Sequence, residues 1–323
     1  MNKIRWSSLT SKRPYLFVLG LLFVTVAVNF IFQPDLLNRD TLNSNMRVFL
    51  PSIFLAAGQA VVVLAGGIDI SVGSTVAIVN TILVTQLGAD ASPQKTALWL
   101  LLAVLVGMGA GALNGFFTAY LRLQPIITTY ATSFLFAGIA LWILPNPGGA
   151  VPQSLTRFYR ETTPLGVPLA FFAILLILLA WYLIQRTRYG RYLTAVGGQP
   201  EAAYATAVPV SLVIFSTYVI SGFMAALGGI ALTLLVNSGN AGNGDALTLP
   251  SVSAAVIGGT VLRGGIGGVA GPIIGAIILG LFKNIISFAK VDLWWQTFVN
   301  AAIIVLALAA PGAIDLVRRR WRR

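Results

Sequence analysis

The 323 residues include no cysteine and no histidine, and aspartate and glutamate together number only 9. Without thiols there is no disulfide frame and no thiol nucleophile. Without imidazole the commonest general base and the commonest metal ligand are both missing. No G-x-x-x-x-G-K-[ST] phosphate loop occurs, so the chain has no nucleotide cradle of that kind. No catalytic group, no metal site and no cofactor is therefore expected, and any energy from ATP has to come from a partner. Charge is scarce as well: 9% of residues carry it, against roughly a quarter in an ordinary soluble domain.

What is abundant is apolar surface. Hydrophobic residues make up 57% of the chain, more than a water-soluble fold of this length can hide. The apolar runs recur from Tyr15 to Ala310 with no polar block long enough for a separate globular unit, so residues 1–323 are expected to form one membrane domain. A bilayer core about 30 Å thick takes about 20 apolar residues per helix, and lipid forces each span to satisfy its own backbone. The expected fold class is an all-α polytopic membrane protein with about ten spans, near 15–33, 47–66, 72–88, 96–115, 124–144, 166–185, 211–235, 250–263, 268–287 and 295–313. The segment 250–263 is short for a full crossing, and the glycine-rich stretch 258–268 suits a broken or re-entrant piece. Lys3, Arg5, Lys12 and Arg13 precede a first apolar run that is longer than a signal peptide's and lacks a small-residue cleavage site. It is expected to stay as a span.

The net charge of +12 is carried by single basic residues and short clusters beside the spans, not by a polar face with interleaved aromatics. It marks topology and gives no sign of nucleic acid. With the N-terminus inside, 14 Lys and Arg fall on the cytoplasmic side, including Arg122, Arg186, Arg188, Arg191 and Arg263, and 7 on the other, including Arg39, Arg47, Arg157 and Arg160. That bias places both termini in the cytoplasm. It leaves one long external connection, Pro145–Leu165, and one long cytoplasmic connection, Arg186–Val210, as candidate docking surfaces.

Within the spans almost nothing titrates. Asp69 is the one carboxylate near membrane depth, which speaks against an ion-coupled carrier, since these keep acidic or histidine residues inside the membrane. Neutral polar residues stand there instead, among them Gln59, Ser71, Asn80, Asn114, Thr128, Thr129, Thr132, Ser221 and Asn300. They suit a pathway for an uncharged polyol, with Asp69, Ser71, Asn114, Thr128 and Thr132 as pathway candidates; they equally suit helix–helix adhesion. The spacings Gly107-Gly111-Gly115 and Gly267-Gly271-Gly275 allow close backbone approach between helices. Leu64-Ala65-Gly66-Gly67 is echoed by Val256-Ile257-Gly258-Gly259, which suggests spans 2–5 and 7–10 as related halves in opposite directions.

Four stretches taken in order carry a resemblance. They are Val63–Ser74, with Gly66-Gly67-Ile68-Asp69-Ile70-Ser71 at its centre; Gly111–Gly115 with Leu123–Thr129; Thr187–Tyr192 with Ala195–Ala203; and Ala254–Thr260 with Gly264–Gly268. Together they resemble the ribose-type permeases of bacterial ABC sugar importers, relatives of the branched-chain amino acid permeases, over nearly the whole chain. The resemblance implies a multi-pass protein of the bacterial inner membrane that imports a monosaccharide by alternating access. It also implies four kinds of partner: the lipid membrane, a cytoplasmic ABC ATPase, an extracytoplasmic sugar-binding protein and a second permease chain, identical or different. The third stretch is similar to the segment that engages the ATPase, which assigns coupling to Arg188, Gly190, Gly197, Gly198, Glu201, Ala202 and Ala203. Gly197 and Gly198 are expected to break a local helix and Glu201-Ala202-Ala203 to restart one. The segment Ala205–Ser211 departs from the family pattern, which has a small-Gly-Ile/Val step and a basic residue there.

Overall fold

The computed structural model describes residues 14–290, together with the isolated positions 292, 295, 298, 301, 302 and 305. Among the described residues the elements are helices alone: α1 Pro14–Phe32, α2 Arg39–Leu64, α3 Val72–Leu87, α4 Pro93–Ala119, α5 Pro125–Ile143, α6 Gln153–Glu161, α7 Leu169–Arg186, α8 Arg188–Gly198, α9 Pro200–Ala205, α10 Val210–Val236, α11 Asp245–Ile257 and α12 Ala270–Phe288. Prolines open several of them. Pro93 follows Ser92, whose hydroxyl accepts the amide of Lys95 at 3.3 Å. Pro125 opens α5 and Pro200 opens α9, positions where the missing N–H costs nothing.

Among the described residues six helices are long and apolar enough to cross a membrane: α2, α4, α5, α7, α10 and α12. The described apolar part of α1, Val18–Phe32, and the helices α3 and α11 are shorter. The expected span 250–263 is corrected. The helix there starts at Asp245, stops at Ile257 and is followed by a glycine-rich turn to Val269. The start of the second span is also corrected, from residue 47 to Arg39. Of the expected span 295–313 only the isolated positions 295, 298, 301, 302 and 305 are described, and the cationic clusters at both ends of the chain and Asn300 lie outside the described residues.

Helices α2 and α10 form the centre. The apolar window of α2 is 83% buried, against 17% for α7 at the rim. Helix α10 packs on α2, α3 and α4; α2 also meets α11 and α12, and α5 lies against α3. The α4–α10 crossing is made by the expected glycine row. A Cβ on Gly107 would meet Ala226 at 2.6 Å, and one on Gly115 would meet the carbonyl of Phe215 at 2.7 Å. From the other side, one on Gly222 would run into the carbonyl of Gly107. Gly271 and Gly275 hold α12 against Gly258 and Ala254 in the same manner.

The glycine echo is real in the backbone but shifted by one residue. Helix α2 closes with Gly66 at φ +85 and bonds from Gly66 N–H to Val63 O (2.9 Å) and from Gly67 N–H to Val62 O (3.0 Å). Helix α11 closes with Gly259 at φ +83 and bonds from Gly259 N–H to Val256 O (2.9 Å) and from Thr260 N–H to Ala255 O (3.0 Å). Both are left-handed glycine caps, a conformation that side chains resist. Gly66 therefore corresponds to Gly259, not to Gly258.

Candidate functional site

The turn Ala65–Ser71 between α2 and α3 carries a carboxylate into the protein interior. Ser221, which touches it, is the twelfth residue of the 27-residue helix α10; at 1.5 Å per residue that is about 16 Å along the helix axis from Val210. Asp69 thus sits well inside the bundle, although it lies in the turn between two helices.

Burial leaves Asp69 only 2% exposed, and a buried carboxylate needs hydrogen-bond donors. It has three. Its Oδ1 accepts the Ser71 amide at 3.0 Å and the Ser71 hydroxyl at 2.7 Å; its Oδ2 accepts the Ser221 hydroxyl at 2.8 Å. The network continues sideways, because Asn114 Nδ2 donates to Ser71 Oγ at 2.6 Å and Thr132 Oγ1 donates to Asn114 Oδ1 at 2.6 Å. Four elements are joined by this row: α10, the 65–71 turn, α4 and α5. Thr129 adds a second tie to the turn, accepting from Ile70 N–H at 3.1 Å. With its amide oriented to satisfy both groups, Gln59 donates to Asp69 O at 3.1 Å and accepts from Asp69 N–H at 3.2 Å.

The structure therefore brings together Asp69, Ser71, Asn114 and Thr132 and leaves Thr128 apart, its hydroxyl spent on Gln124 O at 2.9 Å. In sequence, Gln59 and Ser221 stand out only as members of the neutral polar set. Their place is set by tertiary contact, since Ser221 is 152 positions from Asp69. The backbone amide that Asp69 accepts is that of Ser71, two residues on within the turn.

The coupling candidates occupy α8 and α9. Thr187 opens α8 by accepting the Gly190 amide at 3.3 Å. The break comes at Gln199, directly after Gly197 and Gly198, and Pro200 starts the next helix. One face of the pair is buried, with Gly190, Leu193, Val196, Gly197 and Ala203, while Arg188, Gly198, Glu201 and Ala202 are exposed. Gly197 touches backbone only: a Cβ there would run into the carbonyl of Leu64 and come within 2.5 Å of Gly265 N. Gly264 in turn lies on Gly197 and Gly66, and Gly265 N–H donates to Leu64 O at 2.9 Å. Glycines from three of the four sequence stretches meet at one junction, where Gly66 lies three residues along the chain from Asp69. Beside it α8, α9 and the ends of α2, α4 and α10 enclose a cavity of about 770 Å³. Gly197, Gly198 and Glu201 line it; the pathway candidates do not.

The segment 145–165 is not a bare loop. It contains α6, which docks on the Arg39 end of α2 and the Val236 end of α10. Tyr159 OH donates to Arg47 O at 2.8 Å, Arg47 Nη1 to Arg160 O at 2.7 Å and Arg160 Nη2 to Leu235 O at 2.7 Å.

Among known proteins, the chain is 29% identical over 292 residues to the ribose import permease protein of Escherichia coli (strain K12), covering 89% of this chain and 90% of that one. It is 28% identical over 322 residues to the D-allose transport system permease protein of the same organism, covering 96% and 97%. It is also 28% identical over 305 residues to that organism's galactose/methyl galactoside import permease protein, covering 89% and 91%. No solved structure matches. A family model described as "Branched-chain amino acid transport system / permease component" matches residues 42–308, a stretch that takes in the Asp69 network and helices α8 and α9 alike, and the chain belongs to that family of permease components.

Proposed function

We propose that this chain is the permease subunit of an ATP-driven importer that carries a monosaccharide across the bacterial inner membrane by alternating access. The observation that carries the reading is the glycine junction. It sets the cytoplasmic helices α8 and α9 in backbone contact with the end of α2, so a push on those helices reaches the Asp69 turn without passing through flexible side chains. The importers named ribose, D-allose and galactose permeases resemble the chain along about nine-tenths of its length or more. The neutral, hydroxyl-bearing network around Asp69 suits a polyol better than a zwitterion. A branched-chain amino acid would call for charged or helix-terminal contacts.

In this reading residues 1–323 form one domain with ten spans and cytoplasmic termini. The halves 2–5 and 7–10 are inverted repeats. Their order of long, short, long helices, α2-α3-α4 and α10-α11-α12, supports this, and so does the meeting of the two short helices' N-termini at Gly73 and Gly244. The glycine echo does not, because α2 and α11 are the second and eighth spans and would run the same way. A cytoplasmic ATPase docks on the exposed face of Arg188, Glu201 and Ala202, an external sugar-binding protein on the α6 side, and a second permease chain completes the translocator.

The test is Ala202→Trp, which is exposed and leaves the buried face intact. The variant should insert and fold normally while co-purifying with much less ATPase. Normal ATPase recovery with normal sugar uptake would remove α9 from the coupling surface.

A further inference from the structure

Helices α3 and α11 both begin inside the bundle. A Cβ on Gly73, the second residue of α3, would meet Gly244 O at 2.5 Å, so the residue before α11 lies against the first turn of α3. The chain comes to that point from the α6 end. Gly239 exchanges backbone bonds with Gly148, and Asn240 N–H donates to Asn80 Oδ1 at 2.9 Å, seven residues along α3 from Gly73. From Gly244, α11 runs on to the glycine junction, where Gly264 rests on Gly66 and Gly197. At 1.5 Å per residue, α3 extends about 21 Å from Gly73 to Leu87 in one direction, and α11 about 18 Å from Asp245 to Ile257 in the other. Asp245 therefore stands near mid-height, although the sequence leaves it in the connection between two spans.

Unlike Asp69, Asp245 is exposed. So are Gly242, Ala246 and Leu249, whereas Ser251 to Ile257 are buried throughout, so the opening is confined to the first turn of α11 and the turn before it. Asp245 and Leu249, four residues apart, share one helix face. A face suited to lipid looks different: on α7, Leu175, Leu176, Leu179 and Leu183 are exposed with no charge before Arg186. Acids at membrane depth turn toward protein or a water-filled cavity, because hydrocarbon cannot solvate them. Among the described residues the one ion pair is Arg157 with Glu161, so no base there offsets Asp245. Water has to reach it.

We infer that the window 242–249 is a wall of a water-filled solute passage, in which the Asp245 carboxylate accepts hydroxyl protons from a neutral monosaccharide at mid-depth. The solute part rests on the sugar-permease reading; the passage rests on the depth and exposure of Asp245. A carboxylate suits the task, since its two oxygens can accept from adjacent hydroxyls of a polyol. Its charge turns anions away and leaves a neutral sugar free to approach.

The experiment uses the full importer, assembled in proteoliposomes with its ATPase and binding protein and supplied with ATP. The chain has no cysteine, so single cysteines can be set at Leu249 and Leu176, two leucines of like exposure, 60% and 67%. Both are treated with a membrane-impermeant cationic thiosulfonate. Because the reacting thiolate forms only in contact with water, Leu249→Cys should react at least about tenfold faster than Leu176→Cys. Equal rates, or a slower reaction at 249, put the window against lipid or protein and overturn the passage. This arm needs no sugar. The second arm measures initial uptake of radiolabelled D-ribose, D-allose and D-galactose. If the wild type imports none of them, the sugar-permease reading falls and the solute contact with it, while the labelling contrast still decides the passage. With an imported sugar in hand, Asp245→Asn should lower uptake about threefold to tenfold, the worth of one hydrogen bond, with the amount of folded complex unchanged. Asp245→Glu, which keeps both acceptor oxygens, should recover part of the loss. Unchanged uptake in Asp245→Asn, or a loss that follows a loss of folded complex, overturns the contact and leaves the permease reading standing. So would a raised melting temperature with intact uptake in Asp245→Leu, the behaviour of an acid that faces lipid.

Discussion

At its Leu64 end helix α2 meets helices α8 and α9 through glycine backbone, with one hydrogen bond, Gly265 N–H to Leu64 O at 2.9 Å, and a cavity alongside. At its Arg39 end the same helix is stitched to α6 by side chains: Asn43, Arg47 and Tyr159 all bond across, and Arg160 continues the stitching to α10. Close to that end Gly148 and Gly239 exchange backbone bonds, and Asn80 ties α3 to α10 and to the segment after it. The difference bears on motion. A joint made of close-packed backbone is incompressible along the line of contact yet loses few bonds when it slides. A joint made of hydrogen bonds yields only when they break, at about 0.5–1.5 kcal/mol each. The first is suited to passing on a displacement, the second to holding one side shut until a partner binds there.

The largest effect expected of a single change falls on the glycine joint. Gly197→Ala puts a methyl group into the Leu64 carbonyl, which is backbone and has no rotamer to escape into. Overpacking of that kind costs about 1–3 kcal/mol. A marked loss of assembled complex is expected on gel filtration. Gly198→Ala, with open space around its Cβ, is the control and should behave as wild type. If the two adjacent glycines tolerate alanine equally, the joint is not built as described.

How much of this contrast could be read from the sequence depends on the range of the interactions. The glycine rows and the helix break after Gly198 were legible, because small residues at helical spacing and paired glycines before a proline act locally. The all-helical class was legible because lipid leaves few other choices. The joint itself was not, since Leu64, Gly197 and Gly265 are brought together only by the packed bundle. For the same reason Thr128 and Thr132 looked alike, although one bonds its own helix and the other reaches Asn114. Helix α6 was hidden in a segment that composition marks as loop.

On the stitched side the next largest loss is expected from Asn80. It is fully buried, donates to Thr233 Oγ1 at 2.9 Å and Ser238 O at 3.1 Å, and accepts Asn240 N–H at 2.9 Å. Asn80→Ala strands the Asn240 amide and should cost about 1–3 kcal/mol, seen as a lower melting temperature of the purified permease. Tyr159→Phe should cost less, about 1 kcal/mol, because a single bond to Arg47 O is lost. A melting point unchanged in both would mean that this end of the bundle is not held by these bonds.

The smallest effect is expected at Asp69→Asn, and it decides what the carboxylate is for. As the holder of the turn, residue 69 needs two acceptor positions: one for the Ser71 amide and hydroxyl, one facing Ser221. Asparagine keeps the first in its Oδ1. At the second its NH₂ group replaces an oxygen, and the Ser221 hydroxyl can turn from donor to acceptor, since a serine oxygen serves both ways. The change therefore removes the charge while leaving Ser71 and Ser221 each a hydrogen bond to residue 69. Asp69→Ala removes both acceptors, leaves the Ser71 amide and the hydroxyl hydrogens of Ser71 and Ser221 buried without acceptors, and should cost about 1–3 kcal/mol. If the network is adhesive, Asp69→Asn assembles and imports sugar nearly as well as wild type while Asp69→Ala yields less folded complex. An Asp69→Asn complex that assembles fully and hydrolyses ATP yet imports nothing would show that the charge itself acts on the solute or the gate. The buried row from Ser221 to Thr132 would then belong to the pathway and not to the packing of the helices.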